Sequence, residues 1–197
     1  MTEVSEGFVV VAPNVLNTVL LAERREAFVL EIEDVLFHYN SCVLLPSRPE
    51  GPTSTHGAGP TPGQLQSTGL WVIQAAYQFF KANPAKKLLI GAHTDVSGPD
   101  EYNTELSALR GLNVLYILTG EKTKWVDLVA DANTYKVEDY QQILKWVASV
   151  YGWDCDPGPI DNIDGDRTKN GIGAFQEKYN EEFGASIAVN REVDEET

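Results

Sequence analysis

The chain has 197 residues, 43% hydrophobic and 22% charged, which suffices for one good core or two small ones and argues against disorder as its resting state. A formal net charge of -14 with no run of Lys and Arg argues against nucleic acid as a partner, because phosphate binding needs clustered cations. No apolar stretch approaches the roughly 20 residues of a membrane helix, and the opening MTEVSEGFVVVAPN lacks the basic region and cleavage site of a secretory signal.

In chain order, residues 1–27 form a β-rich N-terminal segment that includes FVVVAPNVLNTVLLA. A second β-rich run, AFVLEIEDVLFHY, alternates Phe28, Leu30 and Ile32 with Val29, Glu31 and Glu33. Strands are expected in both. Residues 46–63 are dense in Pro, Gly, Ser and Thr and read as a loop insertion that cannot form a core. Leu70, Ile73, Tyr77 and Phe80 then recur at helical spacing, and Asn83-Pro84 ends the pattern, which predicts a helix over 65–82. KKLLIGAHTD reads as a short buried strand ending at a polar turn, and Asn103 is a plausible N-cap for a helix that stops before Gly120. A right-handed crossover would make the two strands of this strand-helix-strand-helix unit parallel neighbours, with both helices on one face.

Residues 121–133 read as a connector. Beyond it, VEDYQQILKWVASVYGW places Val137, Tyr140, Leu144, Val147 and Val150 on one helical face, and GAFQEKYNEEFG makes a second short helix after an acidic turn. Residues 160–168 and 189–197 match at an offset of 29 residues: an apolar start, an amide or carboxylate side chain, and a closing Thr168 or Thr197. Cys42 and Cys155 fit neither a metal spacing nor a disulfide framework and read as buried thiols, with a bridge as the alternative. DCDPGPIDNID places Pro159 where a calcium loop starting at Asp154 needs its glycine, so it reads as a solvated acidic turn.

The most informative stretch is GAHTDVSGPDEYNTELSALR, with Ala92, His93, Thr94, Asp95, Gly98, Tyr102, Asn103, Leu106, Ser107 and Arg110 in a fixed pattern. It resembles the peptidoglycan-binding OmpA-like family, and the earlier VLFHYNSCVLLP resembles that family's first strand and following turn through Phe37, Asn40, Ser41, Leu45 and Pro46. The resemblance covers roughly 28–120. It implies an α+β fold, an OmpA-C-like βαβα sheet with helices packed on one face. His38 departs from the pattern, standing where the family has Asp or Asn, and Ala92 and Gly111 exchange two small residues for others.

Asp95 follows a strand and Arg110 sits about two turns into the next helix, so the fold-back can bring a carboxylate and a guanidinium to one rim. A diaminopimelate side chain ends in an ammonium and a carboxylate, one for each group, and an Arg fork on a carboxylate is a strong charge-assisted contact. An internal Asp95–Arg110 salt bridge is the competing use of the same pair. The resemblance implies ligand contacts from Asp95, Arg110, Asn103, Thr94 and Leu106. The residues themselves give Asn103 a capping role and Thr94 and Leu106 mostly structural ones, and His93 reads as a hydrogen-bonded strand-end residue.

Residues 134–197 form a small helical C-terminal module, of which 134–184 resemble the helical peptidoglycan-binding domain of wall hydrolases. Asp161, Asn162, Gly165, Thr168, Gly171, Ile172, Phe175 and Gln176 carry that likeness, with Asn162 and Gly171 departing from it. No nucleophile triad, zinc helix or phosphate loop is recognisable, so a non-enzyme without cofactor or metal is expected. The implied role is a peptidoglycan anchor for a cell-envelope or secretion assembly, acting in the periplasm on a diaminopimelate stem peptide. The alternative is the wall-targeting portion of a larger wall-degrading enzyme or toxin. The repeat also predicts a module cut within its second turn, leaving Phe183, Ile187 and Val189 partly exposed and the tail REVDEET frayed.

Overall fold

The computed structural model describes residues 4–5, 8–11, 37–47, 69–94, 98–130 and 135–197, and these are mostly helical. Chain order gives β1 (Val4–Ser5), β2 (Phe8–Val11), α1 (Gly69–Ala82), β3 (Leu88–Gly91), α2 (Asp100–Thr119), α3 (Lys122–Ala130), α4 (Val137–Tyr151) and α5 (Asp166–Phe183). β3 pairs in parallel with β2, Phe8 opposite Leu88 and Val11 opposite Gly91, and β1 lies antiparallel to β2. The expected βαβα sheet is not among what the described residues show. The strand predicted over the run beginning at Phe28 lies outside them up to residue 36, as do the insertion from residue 48 and the first four residues of the predicted 65–82 helix. The connector carries α3, and the second helix of the C-terminal module, expected to be short, starts at Asp166 and runs 18 residues.

The first core is built on α2. After Ser107 its sequence offers few polar side chains, and Val114, Leu115, Tyr116 and Leu118 are all buried, together with Leu44, Ile73 and Ala76. Phe80, Leu88, Ile90, Trp125 and Leu128 close this core from α1, β3 and α3. Gly120 ends α2 in the left-handed conformation, its N–H reaching Ile117 O, as the helix-stop reading of that glycine requires. The buried polar Asn113 uses its Oδ1 to accept the N–H of Leu44 at 3.3 Å and so ties residues 42–45, which carry no regular structure, to α2, while its Nδ2 is buried without a hydrogen-bond partner.

The second core joins Leu144 and Val147 of α4 to Cys155 and Ile172, with Trp146, Trp153 and Phe175 packed around them. The expected apolar stripe on α4 is only partly buried: Val150 is 55% exposed, and the buried surface includes Glu138, Asp139, Gln141 and Gln142. Cys42 and Cys155 are free, buried thiols. Burial pushes the Cys155 thiol up to about 11. Phe183 and Val189 are exposed, whereas the tail, expected to fray, folds back on Gln176 through a set of side-chain bonds described below.

Gly171 has a packing reason. A Cβ there would lie 2.9 Å from Cys155 O and 3.3 Å from Pro157 Cα, both backbone atoms that cannot swing aside. Gly171→Ala is therefore expected to lower stability by about 1–2 kcal/mol, although helix propensity alone would favour alanine by about 1 kcal/mol. Urea denaturation measures the sign, and a stabilised variant would show that the 155–157 segment yields to the added methyl group.

Candidate functional site

β3 leads into the site. Beyond Gly91 the chain passes through half-buried Ala92, exposed His93 and half-buried Thr94; Asp95 lies outside the described residues. Thr94 Oγ1 donates to Asn103 O at 3.4 Å, and Gly98, at φ 105°, brings its backbone to where a Cβ would stand 3.6 Å from Asn103 Oδ1. Asn103 is not the N-cap. Pro99 precedes the first helical residue, Asp100 and Glu101 supply negative charge to the first turn, and the Asn103 N–H is already spent on Pro99 O. The earlier start carries Arg110 nearly three turns into α2 rather than two.

Arg110 does not stand free at a rim. It is 9% exposed, its Nε donates to Ser41 O at 2.9 Å and its Nη2 to His38 O at 3.2 Å, and its guanidinium lies 4.8 Å from the centre of the Phe37 ring. Those carbonyls belong to a tight turn in which Ser41 N bonds back to His38 O and Asn40 takes a left-handed φ of 56°. Arg110 thereby joins the two sequence stretches, 37–46 and 92–110. Leu106, proposed as a ligand contact, is buried core, while Thr94 and Asn103 remain half-buried.

The other side of this turn is held by α4, which sequence reading did not connect to it. The Asp139 carboxylate is buried and receives three donors: His38 Nδ1 at 2.7 Å, Ser41 Oγ at 2.8 Å and Lys136 N at 2.7 Å. The last bond is the reach-back that satisfies an orphan amide at a helix start. Lys136 adds its Nζ, which donates to Tyr39 O and lies 5.6 Å from the Tyr39 ring centre, and Gln142 Nε2 donates to Ser47 Oγ at 2.7 Å. His38, the departure from the family pattern, faces Asp139 from the second module. An Asp at position 38 would put two carboxylates together there.

The internal repeat is structural. Gln141 of α4 accepts the N–H groups of Asp161 and Asn162 on Oε1, and its Nε2 donates to Asp161 Oδ1, Ile163 O and Thr168 Oγ1. Gln176 of α5 treats the second turn likewise, accepting Arg191 N–H and donating to Asn190 Oδ1, Glu192 O and Thr197 Oγ1. Asn162 and Arg191 hold the corresponding left-handed positions at φ 61° and 64°. Asn tolerates that conformation better than most residues, which explains how it stands in for a glycine. The Gln141 amide and the Ile163 N–H hold the Asp161 carboxyl below the usual carboxylate range, and Asn190 does most to lower Asp194.

Between the two turns lies a cavity of about 160 Å³ lined by Tyr135, Tyr140, Asp164, Lys169, Ile172, Glu192 and Val193. Burial, then the Asp164 carboxylate to which it is hydrogen-bonded, raises the Tyr140 phenol well above its ordinary value. Lys169 Nζ lies 3.6 Å from Asp164 Oδ2. Among the described residues no cluster of His, Cys, Asp and Glu could hold a metal ion. Set against known protein families, curated proteins and solved structures, the chain matches none.

The two glutamines differ in how many backbone donors they accept. Gln141 sits over a part-buried turn and leaves two backbone N–H groups without their acceptor, so Gln141→Ala should cost about 2–3 kcal/mol. Gln176 accepts only the Arg191 N–H, so Gln176→Ala leaves a single backbone donor without its acceptor and should cost about half as much. Thermal and chemical unfolding of both variants measures the difference, and a larger loss at Gln176 would contradict this ordering.

Proposed function

We propose that the chain is a non-catalytic peptidoglycan-binding protein that anchors a cell-envelope or secretion assembly to the wall, reading the diaminopimelate-type stem peptide. One observation supports this above the others: Arg110 brings together the two separated sequence stretches that resemble the OmpA-like family, with Thr94 and Gly98, which precede the same helix, each lying against Asn103 in its first turn. A guanidinium already fixed on two carbonyls loses little further rotational freedom when a ligand carboxylate approaches it, which favours recognition by preorganisation. In this reading Asp95 takes the ligand ammonium, Arg110 the carboxylate, and the Asn103 amide orients the peptide. The paired turns of the helical module add a second wall contact. The site of action is the periplasm.

Purified wall sacculi test this directly. The wild-type chain should co-sediment with them and release no soluble sugar or peptide, whereas release would favour the wall-degrading alternative. Asp95→Ala should weaken binding at least tenfold, corresponding to about 1.5–3 kcal/mol for one charged hydrogen-bond partner. The loss should be larger for a diaminopimelate wall than for a ligand lacking the side-chain amine. Undiminished binding by a folded Asp95→Ala protein contradicts the assignment of Asp95.

A further inference from the structure

The turn at residues 38–41 is gripped twice, and both grips fall on the same two residues. Arg110 takes the backbone carbonyls of His38 and Ser41, and Asp139 takes their side chains. His38, Ser41 and Asp139 are each at most 1% exposed, so no water competes for these bonds. Those two carbonyls hold the Nε and Nη2 ends of the guanidinium, so a shift in their position shifts it. Their position in turn depends on a carboxylate that belongs to the other module and that is itself pinned by Lys136 N at the start of α4. Ser41 Oγ also accepts the Val43 N–H at 3.0 Å, so a shift of the hydroxyl carries the following backbone with it.

From this geometry we propose that Asp139 is a positioning residue for the Arg110 site: the helical module, docked through His38 and Ser41, sets the orientation of the guanidinium that meets the ligand. The consequence for ligand affinity rests on the peptidoglycan reading above; the positioning itself does not. A site whose contacting group must be held to about 0.5 Å needs such a supporting layer, and here that layer comes from a helix far away in sequence. The second module then acts on the first module's affinity without touching the ligand. His38 and Ser41 together supply the side-chain donors for this docking.

Arg110 Nε–H exchange, followed by NMR in the full chain, reads the positioning without any ligand, and co-sedimentation with purified sacculi reads its consequence. Asp139→Asn keeps the shape of the side chain but puts an amide group where one carboxylate oxygen received its donors. It should raise the Arg110 Nε–H exchange rate at least about tenfold and weaken wall binding by a similar factor, the scale of one lost charge-assisted bond. Gln142→Ala is the control: it removes the Ser47 contact between the same helix and the same segment, and should leave both readouts within about twofold if the effect belongs to Asp139. Should Asp139→Asn fail to fold, Ser41→Ala removes one arm of the grip and should raise the exchange rate by about threefold or more. Unchanged exchange in Asp139→Asn, or in Ser41→Ala where the former does not fold, overturns the proposal. An equal rise in Gln142→Ala does so too, because docking in general would then suffice. If the wild-type chain does not bind sacculi, the peptidoglycan reading fails, and the exchange rates alone decide the positioning role.

Discussion

A buried carboxylate must be supplied with donors or it destabilises the fold by several kcal/mol, and Asp139 shows how this chain meets that demand. Its three donors come from a turn of the first sequence module and from the start of its own helix. The cationic Arg110 sits on the opposite side of the same turn, bound to its carbonyls. Residues 37–47 carry no regular structure of their own and are ordered by what they touch: Arg110 and Asn113 of α2 on one side, Asp139 and Gln142 of α4 on the other. The two apolar cores, one around Leu115 and one around Leu144, are thus tied by polar bonds across an irregular segment. Such bonds are directional, so they fix the relative placement of the modules more tightly than apolar contact of the same extent.

The paired glutamine turns apply the same device on a smaller scale. A side-chain amide, offering both donor and acceptor, satisfies backbone groups that an acidic turn cannot satisfy by itself. Asn162 Oδ1 then accepts the Glu138 N–H, adding a partner for the amides at the start of α4 that lack one within the helix, next to Asp139. The first turn therefore reinforces the helix end that holds the 38–41 turn, and the order of the C-terminal module contributes to order around Arg110.

Much of the helical framework was legible because it is local. The end of α2 at Gly120, the place of the strand at 88–91 and both helices of the C-terminal module are marked by periodicity and punctuation within a few residues of each element, whereas the burial expected of that strand is not found, since Leu89 is 41% exposed. The repeat was legible in its turns but not in its clamps, since Gln141 lies 20 residues before Asp161 while Gln176 lies 14 before Asn190, and no constant offset aligns them. The sequence therefore suggests a frayed tail where the structure has a bonded one. The union of His38 with Asp139 spans 101 residues, and no window of sequence displays it. The periodicity of α4 marked only an apolar stripe, yet its polar Asp139 and Gln142 are contacts that hold residues 38–47. Arg110 was picked out by its motif, but its backbone partners, which decide how it is oriented, were invisible until the turn was in place.

The account depends on residues 37–47 being held jointly by α2 and α4, so that the modules unfold together. Native-state hydrogen exchange across a denaturant series measures this at the amides of Val43, Leu44, Leu115 and Leu144. The account predicts that all four exchange through one opening of common free energy and common denaturant dependence. It would be contradicted if Leu144 opened at distinctly lower free energy than Leu115 while Val43 and Leu44 stayed protected with α2, because the second module would then come away without disturbing the turn that Arg110 holds.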